Sequence, residues 1–93
     1  MAVKTVHAAI SGKVQGVCYR AWTVETAANL GIDGWVRNCR NGTVEAVFSG
    51  EESAIEQMLH TCKDGPPAAM VHSIDVTVTD TLPEAGFKQL PTV

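Results

Sequence analysis

Two glycines and an arginine mark residues 11–20 as the segment of this chain best suited to chemistry. Gly12 and Gly16 allow backbone conformations that other residues avoid, so that successive N–H groups can turn toward one point. Arg20 adds a planar fork of donors that suits the oxygens of a phosphate group. An alternating apolar run ends where this segment begins, and a helical pattern follows it. The sequence therefore predicts a strand-to-helix loop that binds an anion at the positive end of the helix.

The spacing argues against two other phosphate chemistries. The nucleotide-binding patterns Gly-x-x-x-x-Gly-Lys-[Ser/Thr] and Gly-x-Gly-x-x-Gly are absent. Cys18 lies inside the loop, but the Cys-x-x-x-x-x-Arg pattern of the cysteine phosphatases would need arginine where Val24 stands. We therefore interpret Cys18 as a small residue that fills the loop rather than as a nucleophile.

Length, charge and cysteine content limit the remaining classes of function. The 93 residues predict one domain with one core, spanning residues 1–93. A net charge of -3 offers no basic face, so nucleic acid is not an expected partner. We see no signal peptide and no apolar stretch of about 18 residues, which indicates a cytoplasmic protein without a membrane partner. The three cysteines are widely spaced, so we expect neither disulfides nor a metal site: Cys18, Cys39 and Cys62.

Hydrophobic periodicity predicts the elements that position the loop. Strands are predicted at residues 5–11, 34–38, 43–48, 73–79 and 87–90, and helices at residues 21–30 and 51–63. This order predicts an α+β fold, the ferredoxin-like split βαβ sandwich (βαββαβ). Right-handed crossovers then give an antiparallel sheet of order 4-1-3-2 with both helices on one face and the fifth strand at an edge.

The two helices have predicted inner faces. In the first helix this face comprises Ala21, Val24, Ala27 and Ala28, with Gly31 ending the helix. In the second it comprises Ile55, Met58, Leu59 and Cys62. Glu51 and Glu52 oppose the helix dipole rather than form an acid/base pair. The three histidines are predicted to lie on the surface: His7, His60 and His72.

Two separate segments resemble signatures of the acylphosphatase family. Residues 10–20, Ile-Ser-Gly-Lys-Val-Gln-Gly-Val-Cys-Tyr-Arg, resemble the pattern Gly-x-Val-Gln-Gly-Val-x-Phe-Arg, with Tyr19 where phenylalanine is usual. Residues 34–38, Gly-Trp-Val-Arg-Asn, are similar to the second signature together with Gly42, Val44 and Gly50. The C-terminal residues 89–93 depart from the family, which leaves open how they support a site.

The resemblance implies a function and a set of site residues. It implies a hydrolase that cleaves the carboxyl–phosphate bond of acyl phosphates to carboxylate and inorganic phosphate, by in-line attack of water. Arg20 and Asn38 would be the catalytic residues, and Asn38 would face the loop. Backbone amides would bind the phosphate at Gln15, Gly16, Val17, Cys18, Tyr19 and Arg20. The expected partner is then a small acyl phosphate bound by a monomer, with no metal and no cofactor.

Two other functions stay open, because the ferredoxin-like fold serves many functions. One is a site for carbamoyl phosphate or a related compound, as in acylphosphatase-like domains of larger maturation enzymes. The absence of zinc-finger cysteines and the short chain make it a poor fit. The other is a non-catalytic module for a ligand or RNA. RNA is disfavoured because Phe48 is the only aromatic residue on strands 1 and 3 that could stack bases.

Overall fold

Seven elements build a five-stranded sheet with two helices packed on one face. The computed structural model describes residues 2–93. The elements are β1 (Val3–Lys13), α1 (Tyr19–Asn29), β2 (Asp33–Asn38), β3 (Val44–Glu51), α2 (Glu52–Cys62), β4 (Met70–Val78) and β5 (Phe87–Gln89). The strand order is β4-β1-β3-β2-β5, as predicted. The α+β ferredoxin-like fold is confirmed.

The sheet is mixed rather than wholly antiparallel. β1 pairs antiparallel with β3 and β4, and β2 pairs antiparallel with β3. β5 runs parallel to β2, with Gly34 opposite Phe87 and Val36 opposite Gln89. β4 and β2 lie near opposite edges of the sheet, but the last residue of β4 and the first residue of β2 are at the same end of the strands. The connection at residues 79–86 therefore carries the chain across that end to the start of β2. β5 must then run in the same direction as β2.

The core lies between the sheet and the helices. Val6, Ala8 and Ile10 of β1 are fully buried and stand opposite three equally buried residues of β3: Phe48, Ala46 and Val44. The second helix buries three of its four predicted residues and half-buries the fourth, so its predicted face is confirmed: Ile55, Met58 and Cys62, with Leu59 half-buried. The edge of the core is less well covered, since β4 leaves Val76 45% and Val78 67% exposed.

The predicted inner face of α1 is wrong in two positions. Ala21 and Ala28 are exposed, and Val24 is half-buried. The helix begins at Tyr19, and its buried residues are Tyr19, Thr23 and Ala27. The bulky Tyr19 ring turns this face of the helix toward the core, and Thr23 can be buried because its hydroxyl donates to the Tyr19 carbonyl at 2.7 Å. The end of α1 agrees with prediction, because Gly31 follows it with φ +69°.

The face of the sheet opposite the helices carries a short network of charged side chains. Glu45 accepts hydrogen bonds from the Arg37 Nε atom at 2.6 Å and pairs with the His7 Nε2 atom at 2.7 Å. The Arg37 guanidinium carbon lies 4.6 Å from the centre of the Trp35 ring. His7 is therefore half-buried within this network, whereas His60 and His72 are exposed as predicted.

Glu45 is predicted to make the fold sensitive to acid. Partial burial works to raise its pKa, but the hydrogen bonds from His7 and Arg37 outweigh burial and hold the pKa below its usual range. Because Glu45 has a lower pKa in the folded state than in the unfolded state, its ionised carboxylate stabilises the fold at pH values above the unfolded-state pKa. That stabilisation is lost as the pH falls through the folded-state pKa. We expect Glu45→Gln to cost about 0.5–1.5 kcal/mol at pH 7. In urea unfolding series, the difference in free energy of unfolding between the wild type and Glu45→Gln should vanish as the pH falls from about 5 to 3.

A matched control for this prediction is Glu84→Gln. Glu84 is exposed and makes only a 3.6 Å contact with Lys88, so its replacement should change the free energy of unfolding little at any pH. A gap between wild type and Glu45→Gln that stays constant from pH 7 to pH 3 would contradict the assignment.

Candidate active site

The last residues of β1 and β2 lie at the same end of the sheet, with β3 between the two strands. Both strands are antiparallel to β3, so they run in the same direction. The register places Ile10, Val44 and Asn38 in one row across the three strands. Asn38 follows the fully buried Val36 by two positions, so both side chains belong to the face that the helices cover. The loop after β1 and the last residue of β2 therefore lie on the same side of the sheet and at the same end.

The loop is anchored to the core by its side chains, and its backbone is left free. Val14, Val17 and Tyr19 are buried, whereas Gly16 and Cys18 are exposed. No backbone N–H of residues 15–20 donates to a backbone carbonyl anywhere in residues 2–93. Six successive donors are therefore available, which is unusual because most backbone donors in proteins are paired.

The conformation of the loop suits an anion. Gly16 has φ +74° and Cys18 has φ +64°, so left-handed residues interrupt the run, an arrangement that forms concave groups of N–H donors. Cys18 is also the N-cap of α1, and its side chain makes no capping hydrogen bond. The first N–H groups of α1 are therefore unpaired, and the positive end of the helix is open to a ligand.

Arg20 lies in the first turn of α1 with most of its donors unused. The half-buried guanidinium makes one long contact, from Nη1 to the Leu90 carbonyl at 3.5 Å. It forms no ion pair with any carboxylate among residues 2–93. The remaining N–H groups are therefore free for an anionic ligand.

Asn38 carries an unpaired acceptor. Its Oδ1 atom is buried and accepts no hydrogen bond from any group in the part of the chain that the structure describes. Buried polar atoms are paired in the great majority of cases, so an acceptor that the fold leaves unpaired is a candidate for a role in the site. Sequence reasoning named Asn38 only from the family resemblance, because the burial of one side-chain atom cannot be read from a local pattern.

The C-terminal residues support this end of the sheet through their main chain. The Leu90 N–H donates to the Val36 carbonyl at 2.8 Å, and the Val93 N–H donates to the Asn38 carbonyl at 3.0 Å. The Arg40 N–H donates to the Val93 carbonyl at 2.8 Å. Main-chain bonds do not depend on residue type, which explains how a C-terminus that departs from the family still contacts the strand that carries Asn38.

One contact was not predicted from the sequence. The Gln15 carboxamide reaches across to the turn between β2 and β3, where its Nε2 atom donates to the carbonyls of Cys39 at 2.8 Å and Thr43 at 2.9 Å. The sequence had assigned Gln15 only a backbone N–H. No local signal reveals a side-chain bond to residues that lie more than twenty positions away.

Tyr19 joins the start of α1 to the end of α2. Its hydroxyl donates to the Cys62 carbonyl at 2.7 Å, one of the last carbonyls of α2 that the helix leaves unpaired. Its ring lies 5.3 Å, centre to centre, from that of Trp22. Burial raises the pKa of the Tyr19 hydroxyl far above its usual value and that of the Cys62 thiol to about 12.

Replacing Tyr19 by phenylalanine is predicted to destabilise the fold, because the buried Cys62 carbonyl loses its partner. We expect Tyr19→Phe to lower the free energy of unfolding by about 1–3 kcal/mol at pH 7. Above about pH 10 the unfolded tyrosine releases a proton that the folded one keeps, so wild-type stability falls by up to about 1.4 kcal/mol per pH unit from this group. Urea unfolding at pH 7, 9 and 10.5 should show the gap narrowing with pH. A gap that widens with pH would contradict the sign of this argument.

Residues 2–93 contain no metal-binding cluster and no disulfide. No three residues of the types His, Cys, Asp and Glu are grouped so that they could hold a metal ion. The three cysteines in that part of the chain are free. Neither α1 nor α2 is long and apolar enough to cross a membrane.

The fold and the loop together define an α+β protein of the ferredoxin-like type whose loop between β1 and α1 presents unpaired N–H groups at one end of the sheet. Comparison with known proteins gives the family. The acylphosphatase family model matches residues 6–89. An acylphosphatase of Rhodospirillum rubrum is 54% identical over 91 residues, which cover 98% of this chain and 100% of the relative. The chain therefore belongs to the acylphosphatase family.

Solved structures agree with this assignment. An acylphosphatase from Coxiella burnetii superposes with a TM-score of 0.91 at 32% identity, covering 95% of this chain and 93% of that one. An acylphosphatase from Bacillus subtilis gives a TM-score of 0.89 at 29% identity, covering 96% and 99%. The predicted family and the predicted enzyme class, a hydrolase of acyl phosphates, are confirmed.

Proposed function

We propose that the loop and Arg20 hold the phosphoryl group of an acyl phosphate while Asn38 aims a water molecule at its phosphorus. The observation that carries this proposal is the buried, unpaired Asn38 Oδ1 atom, which lies at the same end and on the same side of the sheet as the loop. The Oδ1 atom can therefore accept a hydrogen bond from the water molecule that the reaction requires.

The proposed chemistry asks little of acids or bases. The leaving group is a carboxylate, which departs without a strong general acid. In-line attack spreads negative charge over three equatorial phosphoryl oxygens, so catalysis consists mainly of positioning and electrostatic stabilisation. The free N–H groups of residues 15–20 supply preorganised donors for those oxygens. The Arg20 guanidinium binds two of them as a fork.

The proton balance follows from the nature of Asn38. A carboxamide oxygen accepts a hydrogen bond from water but is too weak a base to remove the proton. The water oxygen forms a bond to phosphorus as the bond from phosphorus to the acyl oxygen breaks, and the electron pair leaves with the carboxylate. One proton stays on the attacking oxygen and the other passes to an oxygen of the phosphoryl group. The products are a carboxylate and inorganic phosphate, and this scheme uses no metal ion or cofactor.

The finer features of the proposal concern size, state and location. We propose that residues 1–93 form one domain that acts as a monomer on small acyl phosphates. The net charge of -3 disfavours nucleic acid as a partner. The three free cysteines suit a reducing compartment, which supports the cytoplasm as the location.

Turnover of benzoyl phosphate tests the proposal directly. Ultraviolet absorbance should report hydrolysis by the wild type and a large loss of rate in Arg20→Ala and Asn38→Ala. If the folded wild type leaves benzoyl phosphate intact, the proposal is wrong. Binding of inorganic phosphate without turnover would instead support a non-catalytic phosphate-binding module.

A further inference from the structure

We propose that the Gln15 side chain is a positioning residue for the reaction, because it holds the hairpin that carries Asn38 against the anion-binding loop. The inference rests on the proposed function of Asn38 and goes beyond it. Gln15 would fix the direction from which water approaches a phosphoryl group bound in the loop.

The geometry of the contact is that of two good hydrogen bonds. The Gln15 Nε2 atom lies 2.8 Å from the Cys39 carbonyl oxygen and 2.9 Å from that of Thr43. The two N–H groups of one carboxamide are thereby both used. Both bonds are partly buried, and they are the only side-chain hydrogen bonds between residues 14–18 and the hairpin in the described chain.

The two carbonyls belong to the turn that directly follows Asn38. The Cys39 carbonyl also accepts the Gly42 N–H at 3.0 Å, and the Thr43 carbonyl also accepts the Cys39 N–H at 2.8 Å. The hairpin therefore closes without Gln15, and the carboxamide adds a link from outside. Removal of that link leaves the turn formed and takes away its direct hydrogen bonds to the loop.

The opposite side of this link is rigid. Val14 directly precedes Gln15 and Val17 follows it by two positions, and both are buried in the core, so packing anchors the loop on either side of Gln15. The hairpin tip is exposed at Arg40 and Asn41. Main-chain bonds also hold the hairpin: the Arg40 N–H donates to the Val93 carbonyl, and the Val93 N–H donates to the Asn38 carbonyl. Gln15 is thus the side-chain contact that joins the loop directly to the hairpin, in addition to the sheet pairing that places Asn38 in one row with Ile10.

Placement of this kind has a large effect on rate. Attack requires the reacting atoms to lie about 3–3.5 Å apart and aligned, and a misplacement of about 1 Å costs about a hundredfold in rate. Binding of phosphate depends on the loop N–H groups and Arg20, which a change of the Gln15 side chain retains. The inference therefore predicts a loss in kcat with little loss of phosphate affinity.

The first test is Gln15→Met, which keeps the length of the side chain and removes both donors. We expect kcat for benzoyl phosphate to fall by about ten- to a hundredfold. The inhibition constant of inorganic phosphate should change by less than about threefold, since the loop is unaltered. Gln57→Met, on the exposed face of α2, is the matched control and should leave kinetics unchanged. An unchanged kcat, or a phosphate inhibition constant that rises in step with the loss of rate, would overturn the inference.

A double-mutant cycle separates positioning from a general effect on the site. If Gln15 acts through Asn38, Gln15→Met should cost little further in an Asn38→Ala background but its full factor in an Arg20→Lys background. An equal loss in both backgrounds would overturn the inference. Failure of the proposed function would give a different result, because Asn38→Ala alone would then keep the wild-type kcat.

A second variant guards against a folding defect in Gln15→Met. Gln15→Glu has nearly the same shape, but its carboxylate presents two acceptors to two carbonyls and should lower kcat at pH 7 at least as much. At a pH low enough to protonate this carboxyl, around 4–5, one donor is restored. The ratio of variant to wild-type kcat should then rise severalfold as the pH falls from 7 to 4.5. A ratio that is constant with pH would count against the inference, because a merely structural defect would not recover.

Discussion

Replacement of Arg20 by alanine is expected to lower kcat/KM for benzoyl phosphate by at least about 10²–10³-fold, the loss typical of one preorganised donor in an oxyanion-type site. Arg20 makes only a 3.5 Å contact with the Leu90 carbonyl and no ion pair with residues 2–93, so the fold has little reason to weaken. The urea midpoint should therefore stay near that of the wild type, and steady-state kinetics measure the loss. The inhibition constant of inorganic phosphate should rise with KM, because the guanidinium binds the phosphoryl oxygens in both ground and transition states.

Arg20→Lys tests the geometry of the donor rather than its charge. A lysine ammonium is a point charge that cannot offer two parallel N–H groups to two oxygens, so most of the rate should still be lost. Arg37→Ala is the matched control, because Arg37 lies on the opposite face of the sheet and pairs with Glu45. It should lower the free energy of unfolding and leave kcat/KM within a few-fold of the wild type. An Arg20→Ala variant with more than a tenth of wild-type kcat/KM would show that the loop amides bind the phosphoryl group without Arg20.

The order of the elements was predictable because it depends on local spacing. Apolar alternation gave β1, and the i, i+3, i+4 and i+7 positions gave the inner face of α2. The face of α1 was predicted less well, since the helix interior uses Tyr19 and Thr23, whereas the predicted Ala21 and Ala28 are exposed. Alanine contributes too little hydrophobic signal to fix the phase of a short helix. The ring of Tyr19, which packs in the core, instead determines which face of α1 is buried.

The placement of Asn38 at the same end of the sheet as the loop depends on the pairing between strands. The sequence alone left open whether the end of β2 faces the loop. The shared antiparallel partner β3 answers that question, because it sets β1 and β2 in the same direction and puts Ile10 and Asn38 in one row. The side-chain contacts of Gln15 and the unpaired Asn38 Oδ1 atom follow from three-dimensional packing, which no periodic pattern encodes.

Asn38→Ala is expected to separate catalysis from binding. If Asn38 orients water rather than phosphate, kcat should fall by about 10²–10³-fold while KM and the inhibition constant of inorganic phosphate stay within a few-fold of the wild type. Asn29→Ala is the matched control, since Asn29 is the exposed last residue of α1. A variant whose KM rises while kcat is kept would instead make Asn38 a ligand of the phosphoryl group.

The same substitution is expected to lower activity without lowering stability. The buried Oδ1 atom has no partner within residues 2–93, and a buried acceptor that lacks a partner costs about 1–3 kcal/mol unless water satisfies it. Removal of that atom should leave the free energy of unfolding unchanged or raise it by up to about 1 kcal/mol, measured by urea unfolding at pH 7. A less active but equally or more stable Asn38→Ala variant is what a side chain kept for catalysis requires. A loss of several kcal/mol would mean that the carboxamide is a structural group, and the assignment of the attacking water to Asn38 would then lose its main support.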